Sequence, residues 1–199
     1  MPVPTFVIVR HGNTFEAGEP ARRIGARTDL PLTAAGLAQG QALGAHFAAR
    51  GFGFTRVLTS PLTRTRQTAI AILDHLPGAP EPEPCDWLRE IDHGPDEDQP
   101  EDAVRARIGA AALAAWDEHA LPPEGWSVDA KARISAWNDL FARDEGPTLL
   151  ITSNGAARFA LVAAGLEVPD GMKLATGAYG IIRRGAGGAL SLAEWGLKP

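Results

Sequence analysis

This 199-residue chain contains a single cysteine, and the scarcity of cysteine excludes several classes of protein. Cys85 stands alone, which excludes an intramolecular disulfide framework and a cysteine-rich zinc site. Long apolar runs are missing too: the stretch at 156–166 is broken by Arg158 and Gly165, whereas a membrane-spanning helix needs about 20 apolar residues. The first residues lack the basic start and apolar core of a secretory signal. We expect a protein of the reducing cytoplasm with no membrane partner.

Positive charge is also in deficit, with 19 Lys and Arg against 24 Asp and Glu, a net charge of −5. This balance argues against a nucleic-acid partner. Residues 1–70 nevertheless carry eight basic and three acidic side chains, whereas residues 71–130 carry three basic and fifteen acidic ones. Sixteen of the cations are Arg, whose planar fork suits phosphate or carboxylate, although a coding bias towards Arg and Ala would give the same excess.

Short apolar, β-branched runs alternate with Ala-rich helical patterns along the chain, which is typical of an α/β protein. The runs predict strands at 5–9, 56–59, 148–152, 178–183 and 189–195, and helices at 33–50, 60–73, 101–118, 129–143 and 153–165. We therefore expect a three-layer α/β/α sandwich around a mostly parallel sheet, formed by one domain over residues 1–199. Residues 77–130 would be a variable insertion or lid, and the acidic run within them a solvated loop.

Polar side chains follow three of the predicted strands. Arg10-His11-Gly12 follows the first, Ser60 to Arg64 the second, and Ser153-Asn154-Gly155 the one at 148–152. In parallel sheets the chemistry lies at the carboxyl ends of the strands, so we expect these segments to meet.

The first segment suits nucleophilic chemistry. Arg10 would disfavour protonation of His11 and leave one of its nitrogens free, and Gly12 would let backbone approach a ligand closely. In the second segment, Ser60 and Pro61 predict a helix start, where Arg64 would add to an anion-binding helix end. Taken singly, a surface turn and solvated arginines explain these segments equally well, and we interpret Arg66 as solvated.

Together the segments carry a resemblance. FVIVRHGNT at 6–14, DLPLTAAG at 29–36 and TSPLTRTRQTA at 59–69 resemble, in order and spacing, the histidine phosphatase superfamily. That family includes phosphoglycerate mutases and many phosphomonoesterases, and the similarity extends over residues 4 to about 195.

The resemblance implies that His11 is phosphorylated during turnover, with no metal and no other cofactor. Arg10, Arg64, Thr14 and the backbone at Gly12 would hold the phosphoryl group. The family's proton donor lies in a Leu-x-Glu pattern, which Leu88-Arg89-Glu90 matches, so Glu90 is the expected general acid. Asp92 and His93 are alternatives for that role. His119, near Asp117 and Glu118, lacks a convincing third metal ligand.

One position departs from the pattern. Where the family has a second histidine before a glycine, this chain has Asn154 before Gly155. Both are expected to face the phosphate, but an asparagine can only donate a neutral hydrogen bond there. Alternatively, Asn154 is only a helix cap.

The expected function is a phosphomonoesterase that acts on a small phosphorylated metabolite. The alternatives are a phosphoglycerate mutase-type phosphotransferase and, because of Asn154, a catalytically weakened phospholigand-binding protein. The arginines at 22, 23 and 27 suggest a second anionic group on the substrate, although a solvated loop is equally compatible with them.

Overall fold

The apolar run near the N-terminus forms the central strand of the protein. In the computed structural model, which describes residues 3–168 and 171–199, strand β1 spans Thr5–Arg10. Val7, Ile8 and Val9 are wholly buried. Because successive side chains of a strand point to opposite faces, β1 contributes to the core on both sides of the sheet.

Five further strands complete one sheet. They are β2 (Arg56–Thr59), β3 (Glu83–Pro84), β4 (Thr148–Thr152), β5 (Tyr179–Arg184) and β6 (Leu190–Leu197), in the order β3-β2-β4-β1-β5-β6. The ladders β2–β3, β2–β4 and β1–β4 are parallel, and β5 and β6 are antiparallel additions. The carboxyl ends of β1, β2 and β4 therefore lie at one edge, with Arg10 paired to Thr152. The expectation of a mostly parallel sheet is confirmed; the two-residue β3 was not predicted.

Helices cover both faces of the sheet. They are α1 (Ala34–Ala49), α2 (Thr63–Leu73), α3 (Glu101–His119), α4 (Ala130–Ala142) and α5 (Asn154–Ala164). One core cluster joins Val7 and Val9 to residues of α1 and α2, and the other joins Phe6 and Ile8 to residues of α3, α4 and α5. This is the expected three-layer sandwich.

The predicted helix ends were correct at two places and wrong at a third. Thr33 caps α1 by accepting the N–H of Gly36 at 3.1 Å, and Gly165 ends α5 in a left-handed conformation. The prediction of a helix start at Ser60 and Pro61 was wrong, since α2 begins at Thr63 after Leu62. Asp29 satisfies this start instead by accepting both the N–H and the hydroxyl of Thr63, at 2.7 and 2.8 Å.

Residues 77–130 contain two 3₁₀ helices, Asp86–Leu88 and Gly94–Asp96, besides β3 and α3. Helix α3 is broken at Gly109, whose φ of +81° and ψ of 157° are not helical. Within the described ranges, no helix combines the length and apolarity that crossing a bilayer requires.

Candidate active site

A pocket of about 600 Å³ opens at the carboxyl edge of the parallel strands. Six of the eight site residues expected from the sequence line it: Arg10, His11, Thr14, Glu90, Asn154 and Gly155. The other two, Gly12 and Arg64, lie directly behind this lining and contact it. The sheet thus brings together segments that are up to about 140 residues apart in the chain.

His11 is held in one tautomer. Its side chain is buried, and Nδ1 lies 2.8 Å from the carbonyl oxygen of Gly12. Because a carbonyl only accepts, Nδ1 carries the proton, and Nε2 is left with its lone pair. Arg64 donates its Nε–H to this Nε2 at 3.2 Å.

The surroundings of His11 also keep it neutral. Burial, followed by the positive charges of Arg64 and Arg10, lowers its pKa well below 6.5. A neutral imidazole with an unprotonated Nε2 in a cationic pocket is equipped to attack an electrophilic phosphorus once the hydrogen bond from Arg64 moves to a phosphoryl oxygen.

Arg64 is fully enclosed in the first turn of α2. Besides His11, it donates to the carbonyl oxygens of Thr28 at 2.8 Å and Gly25 at 3.1 Å. The guanidinium therefore ties the loop before α1 to His11. Arg66, two residues later, is exposed, as expected.

Arg10 ends β1 and donates from Nη1 to the carbonyl oxygen of Leu174 at 2.6 Å. Its Nε is buried and has no hydrogen-bond partner among the described residues. Burial lowers the pKa of Arg10, which the carboxylate of Glu90 partly offsets. An unpartnered guanidinium N–H beside His11 is suited to a phosphoryl oxygen.

Gly12 brings two backbones together. A Cβ there would lie 2.3 Å from the carbonyl oxygen of Gly36, so the loop after β1 packs directly on α1. The N–H of Gly12 already donates to Thr68 Oγ1 at 3.1 Å. Gly12 therefore shapes the loop, whereas Thr14 lines the pocket itself.

Glu90 is buried with both oxygens used as acceptors. Oε1 accepts the N–H of Ile91 and Oε2 that of Gly155, each at 3.0 Å. A Cβ on Gly155 would lie 2.2 Å from Oε1, so glycine is needed for this approach. Burial raises the pKa of Glu90, but the charge of His93 and these two N–H donors outweigh it and hold the pKa below 4.5. The N–H of Gly155, expected to face phosphate, is thus occupied by Glu90.

Side chains from the sheet and from α4 fix the backbone around Glu90. Thr152 Oγ1 donates to the carbonyl oxygen of Leu88 at 2.6 Å. Arg133 donates from Nη1 to the carbonyl oxygens of Trp87 and Arg89, at 3.0 and 2.7 Å. The Glu90 loop is therefore anchored although it has little regular structure.

Asn154 is the first residue of α5 and follows the N-cap, Ser153. Its Oδ1 accepts the N–H of Leu174 at 2.9 Å, which leaves the amide NH₂ for the pocket. The same residue, Leu174, accepts from Arg10. Asn154 is thus not the helix cap that the alternative interpretation made of it.

The interpretation of the acidic run as a solvated loop was wrong for Asp96 and Glu97. Asp96 is buried and accepts from Arg107 and from Trp126 Nε1, the latter at 2.7 Å. The Glu97 side chain is 7% exposed and accepts the N–H groups of Gly25 and Arg27. No signal in the local sequence indicates this burial, because residues 96–102 are acidic or neutral throughout and their partners are remote in the chain.

The pocket also contains residues that were not predicted as site residues, or only as alternatives. His93 lines it, whereas Asp92 is turned away and bonded to Arg27 at 3.0 Å. Arg22 and Arg23 lie in its wall and Arg27 does not. A roomier pocket of about 690 Å³ next to it, lined by Asp117, Glu118, His119 and Glu167, contains none of the predicted site residues. In the described ranges no three His, Cys, Asp or Glu side chains converge as metal ligands.

Comparison with known proteins gives a family match and related sequences. The sequence pattern described as histidine phosphatase superfamily (branch 1) matches residues 6–192. A probable phosphoglycerate mutase GpmB of Enterobacter sp. (strain 638) is 33% identical over 171 residues, which are 81% of this chain and 74% of that protein. The corresponding protein of Yersinia pestis (strain Pestoides F) is 32% identical over 169 residues, with the same coverage.

Solved structures share the fold. Mycobacterial glucosyl-3-phosphoglycerate phosphatase Rv2419c superposes with a TM-score of 0.79 at 20% identity, covering 98% of this chain and all of that one. A putative α-ribazole-5′-P phosphatase of Escherichia coli str. K-12 substr. MG1655 gives a TM-score of 0.74 at 22% identity, covering 98% and 97%.

Proposed function

The chain belongs to branch 1 of the histidine phosphatase superfamily, and from that premise we propose that it is a phosphomonoesterase working through a phosphohistidine on His11. The substrate is a small phosphorylated metabolite. One observation carries the proposal: a neutral His11 presents Nε2 to a pocket in which Arg64 Nε–H lies 3.2 Å from that nitrogen. The proposed nucleophile, His11 Nε2, is therefore in direct contact with a charged donor that can bind a phosphoryl oxygen.

In the first step, Nε2 attacks phosphorus and the bond to the leaving alkoxide breaks. The N–H of Arg64 that faces Nε2 is then free to bind a phosphoryl oxygen. Arg10 supports the same group with its unpartnered Nε–H. Because these donors are positioned before the reaction, they stabilise the developing charge with little reorganisation.

Glu90 handles the proton in this proposal. It protonates the leaving oxygen in the first step and takes a proton from the attacking water in the second. In the ligand-free pocket its pKa is low, and the arrival of a phosphate dianion works in the opposite direction, because a nearby negative charge favours the protonated carboxyl group.

Compared with the histidine that the family has at this position, Asn154 lacks a positive charge but can still donate a hydrogen bond to the phosphoryl group. Its amide NH₂ offers a neutral hydrogen bond, and a charged donor would be roughly twice as strong. We therefore expect slow but real turnover. The proposed reaction uses no metal, so EDTA should leave the rate unchanged; loss of activity that a divalent ion restores would contradict this.

The test is hydrolysis of p-nitrophenyl phosphate by the wild type and by His11→Ala. The wild type should release phosphate and His11→Ala should not. His119→Ala removes an exposed imidazole outside the pocket and should behave like the wild type. A wild type that binds phosphate yet hydrolyses no ester would favour the binding protein that Asn154 suggests.

A phosphoglycerate mutase is the second candidate, because the curated relatives bear that name. It would return the phosphoryl group from His11 to another hydroxyl of the same product. Exchange of phosphate between the positions of a phosphoglycerate, faster than release of free phosphate, would favour the mutase.

We also propose that residues 1–199 act as one domain whose segment 77–130 covers the pocket and selects the substrate. Glu90, His93 and Glu101 of that segment line the pocket opposite the strand ends.

A further inference from the structure

A second buried histidine lies in the phosphate pocket. His93 is 3% exposed and lines the same cavity as His11 and Glu90. The ring of Trp126 packs edge-on against it at 4.5 Å between centroids. A Cβ on Gly25 would lie 2.5 Å from Nδ1, so the ring is closely enclosed on that side.

The buried carboxylate of Glu97 lies next to this ring, on the side away from the pocket. Glu97 Oε2 lies 3.6 Å from His93 Nδ1, and Nδ1 has no hydrogen-bond partner among the described residues. Since Nδ1 faces Glu97 in the interior, Nε2 is the ring nitrogen that can reach the pocket.

Glu97 is fixed as an ionised acceptor. It accepts the backbone N–H groups of Gly25, Arg27 and His93, the last at 3.1 Å, and the Thr28 hydroxyl at 2.9 Å. Burial works against ionisation, yet these donors, led by His93, lower the pKa of Glu97 to about 2. The negative charge of Glu97 therefore lies next to the imidazole ring of His93.

Glu90 requires a neighbouring group that can supply it with a proton. Both of its oxygens accept backbone N–H groups, which is the bonding of a carboxylate and not of a carboxylic acid. A general acid in this position must obtain its proton from elsewhere before the leaving oxygen departs.

We propose that His93, held by Glu97, is the proton store of this site and passes its proton through Glu90 to the leaving oxygen. The inference rests on the proposed function. It makes His93 a residue that acts through Glu90, and the Glu97–His93–Glu90 series a proton relay.

The steps balance as follows. When His11 Nε2 bonds to phosphorus and the P–O bond breaks, the proton of the His93 imidazolium passes to the Glu90 carboxylate and from there to the leaving oxygen, which leaves His93 neutral and Glu90 again a carboxylate. When water then attacks phosphorus and the P–N bond breaks, the bonding pair returns to His11. The water proton passes through Glu90 back to His93, and phosphate leaves.

Several charged groups surround His93. Glu97 lies behind it and Glu90, Arg10 and His11 share its pocket. Around the adjoining Trp126 ring, Arg23 stacks at 5.3 Å and Asp96 accepts the indole N–H.

The experiment compares His93→Phe and His93→Gln with the wild type on an alkyl phosphate and on p-nitrophenyl phosphate. We expect kcat on the alkyl ester to fall about a hundredfold, the lower range for a positioned proton donor, and kcat on the aryl ester to fall by less than about threefold. The alkaline fall of the alkyl-ester rate should shift or vanish in both variants. His119→Gln is the control and should match the wild type.

A double variant separates a relay from simple packing. If His93 acts through Glu90, His93→Phe should cost almost nothing further in a Glu90→Gln background, whereas independent effects would multiply. Equal losses on both esters, a full multiplicative loss, or an unchanged pH profile in a folded variant would overturn the proposal. A wild type with no phosphohistidine and no turnover would instead overturn the proposed function.

Discussion

Two regions line the pocket, and their positions are fixed by different kinds of contact. The strand-end region, residues 10–14, 60–68 and 153–158, is positioned by the parallel ladders of β1, β2 and β4. The covering segment, residues 77–130, has little sheet structure and is held by individual side chains such as Thr152 and Arg133. The first region supplies His11, the proposed nucleophile, and arginines, and the second supplies carboxylates and a histidine.

This difference in construction suits the two regions to different roles. Backbone ladders fix Arg10 and His11 within narrow limits, as phosphoryl transfer requires. The covering segment depends on a few side-chain contacts, such as those of Thr152 and Arg133, and the rest of its sequence is free to differ. Loops of this kind suit substrate selection. Glu97 joins the two regions indirectly: its carboxylate accepts N–H groups of the loop at 25–28, and Arg64 of the strand-end region donates to carbonyl oxygens of the same loop.

The largest expected effect comes from the strand-end region. Arg64→Ala removes the charged donor at His11 Nε2 and should lower kcat/KM about a thousandfold, the upper range for loss of one preorganised donor. Arg66→Ala, on the exposed face of the same helix, should leave kcat/KM unchanged. Steady-state kinetics on p-nitrophenyl phosphate, with circular dichroism to check folding, measures both; similar losses in the two would refute the role of Arg64.

Glu90→Gln probes the covering segment. It removes a titratable group while keeping the shape, and should slow alkyl phosphates about a hundredfold and aryl phosphates much less, because aryl leaving groups need little protonation. The exposed Glu81→Gln is the matched control. If both ester types slow equally, the proton comes from another group.

Asn154 tests whether a neutral donor suffices in the strand-end region. Asn154→Ala should cost about 1–3 kcal/mol in kcat/KM, the scale of one hydrogen bond to a charged group, whereas the exposed Asn138→Ala should cost nothing. Asn154→Asp keeps an acceptor for Leu174 but adds negative charge, so it should cost more than alanine. Asn154→His should be tolerated. Full activity of Asn154→Ala would reduce the residue to a support for the Leu174 loop.

At the junction between the regions we expect an effect on stability and only at acidic pH. The pKa of Glu97 is lowered to about 2 in the folded protein from an ordinary 4.5, so its contribution to stability is complete above about 4.5 and is lost as the pH falls towards 2. We expect about 2–3 kcal/mol of unfolding free energy to disappear over this window. Urea unfolding between pH 2 and 7 measures it. Glu97→Gln should lack this part of the acid dependence and Glu81→Gln should keep it; identical curves would contradict the assignment.

Much of the strand-end region could be predicted from the sequence, because short β-branched runs followed by polar residues identify strand ends. The covering segment could not be predicted in this way. No periodicity indicates that Asp96 and Glu97 are buried, since their partners lie in the loop at 25–28 and in Trp126. The partner of Asn154 is likewise set by the tertiary position of Leu174, twenty residues away. Local pattern also misplaced the start of α2, where Asp29, a remote side chain, provides the cap.

The central claim is that His11 carries the phosphoryl group. Its most direct test is rapid, acid-free quenching of the enzyme during turnover of an aryl phosphate, followed by mass spectrometry of the peptide that contains residues 10–14. The account predicts an acid-labile, base-stable phosphoramidate on His11, formed and consumed at the rate of turnover. Phosphate on Thr14 or Ser60, or turnover with no phosphorylated intermediate, would contradict it.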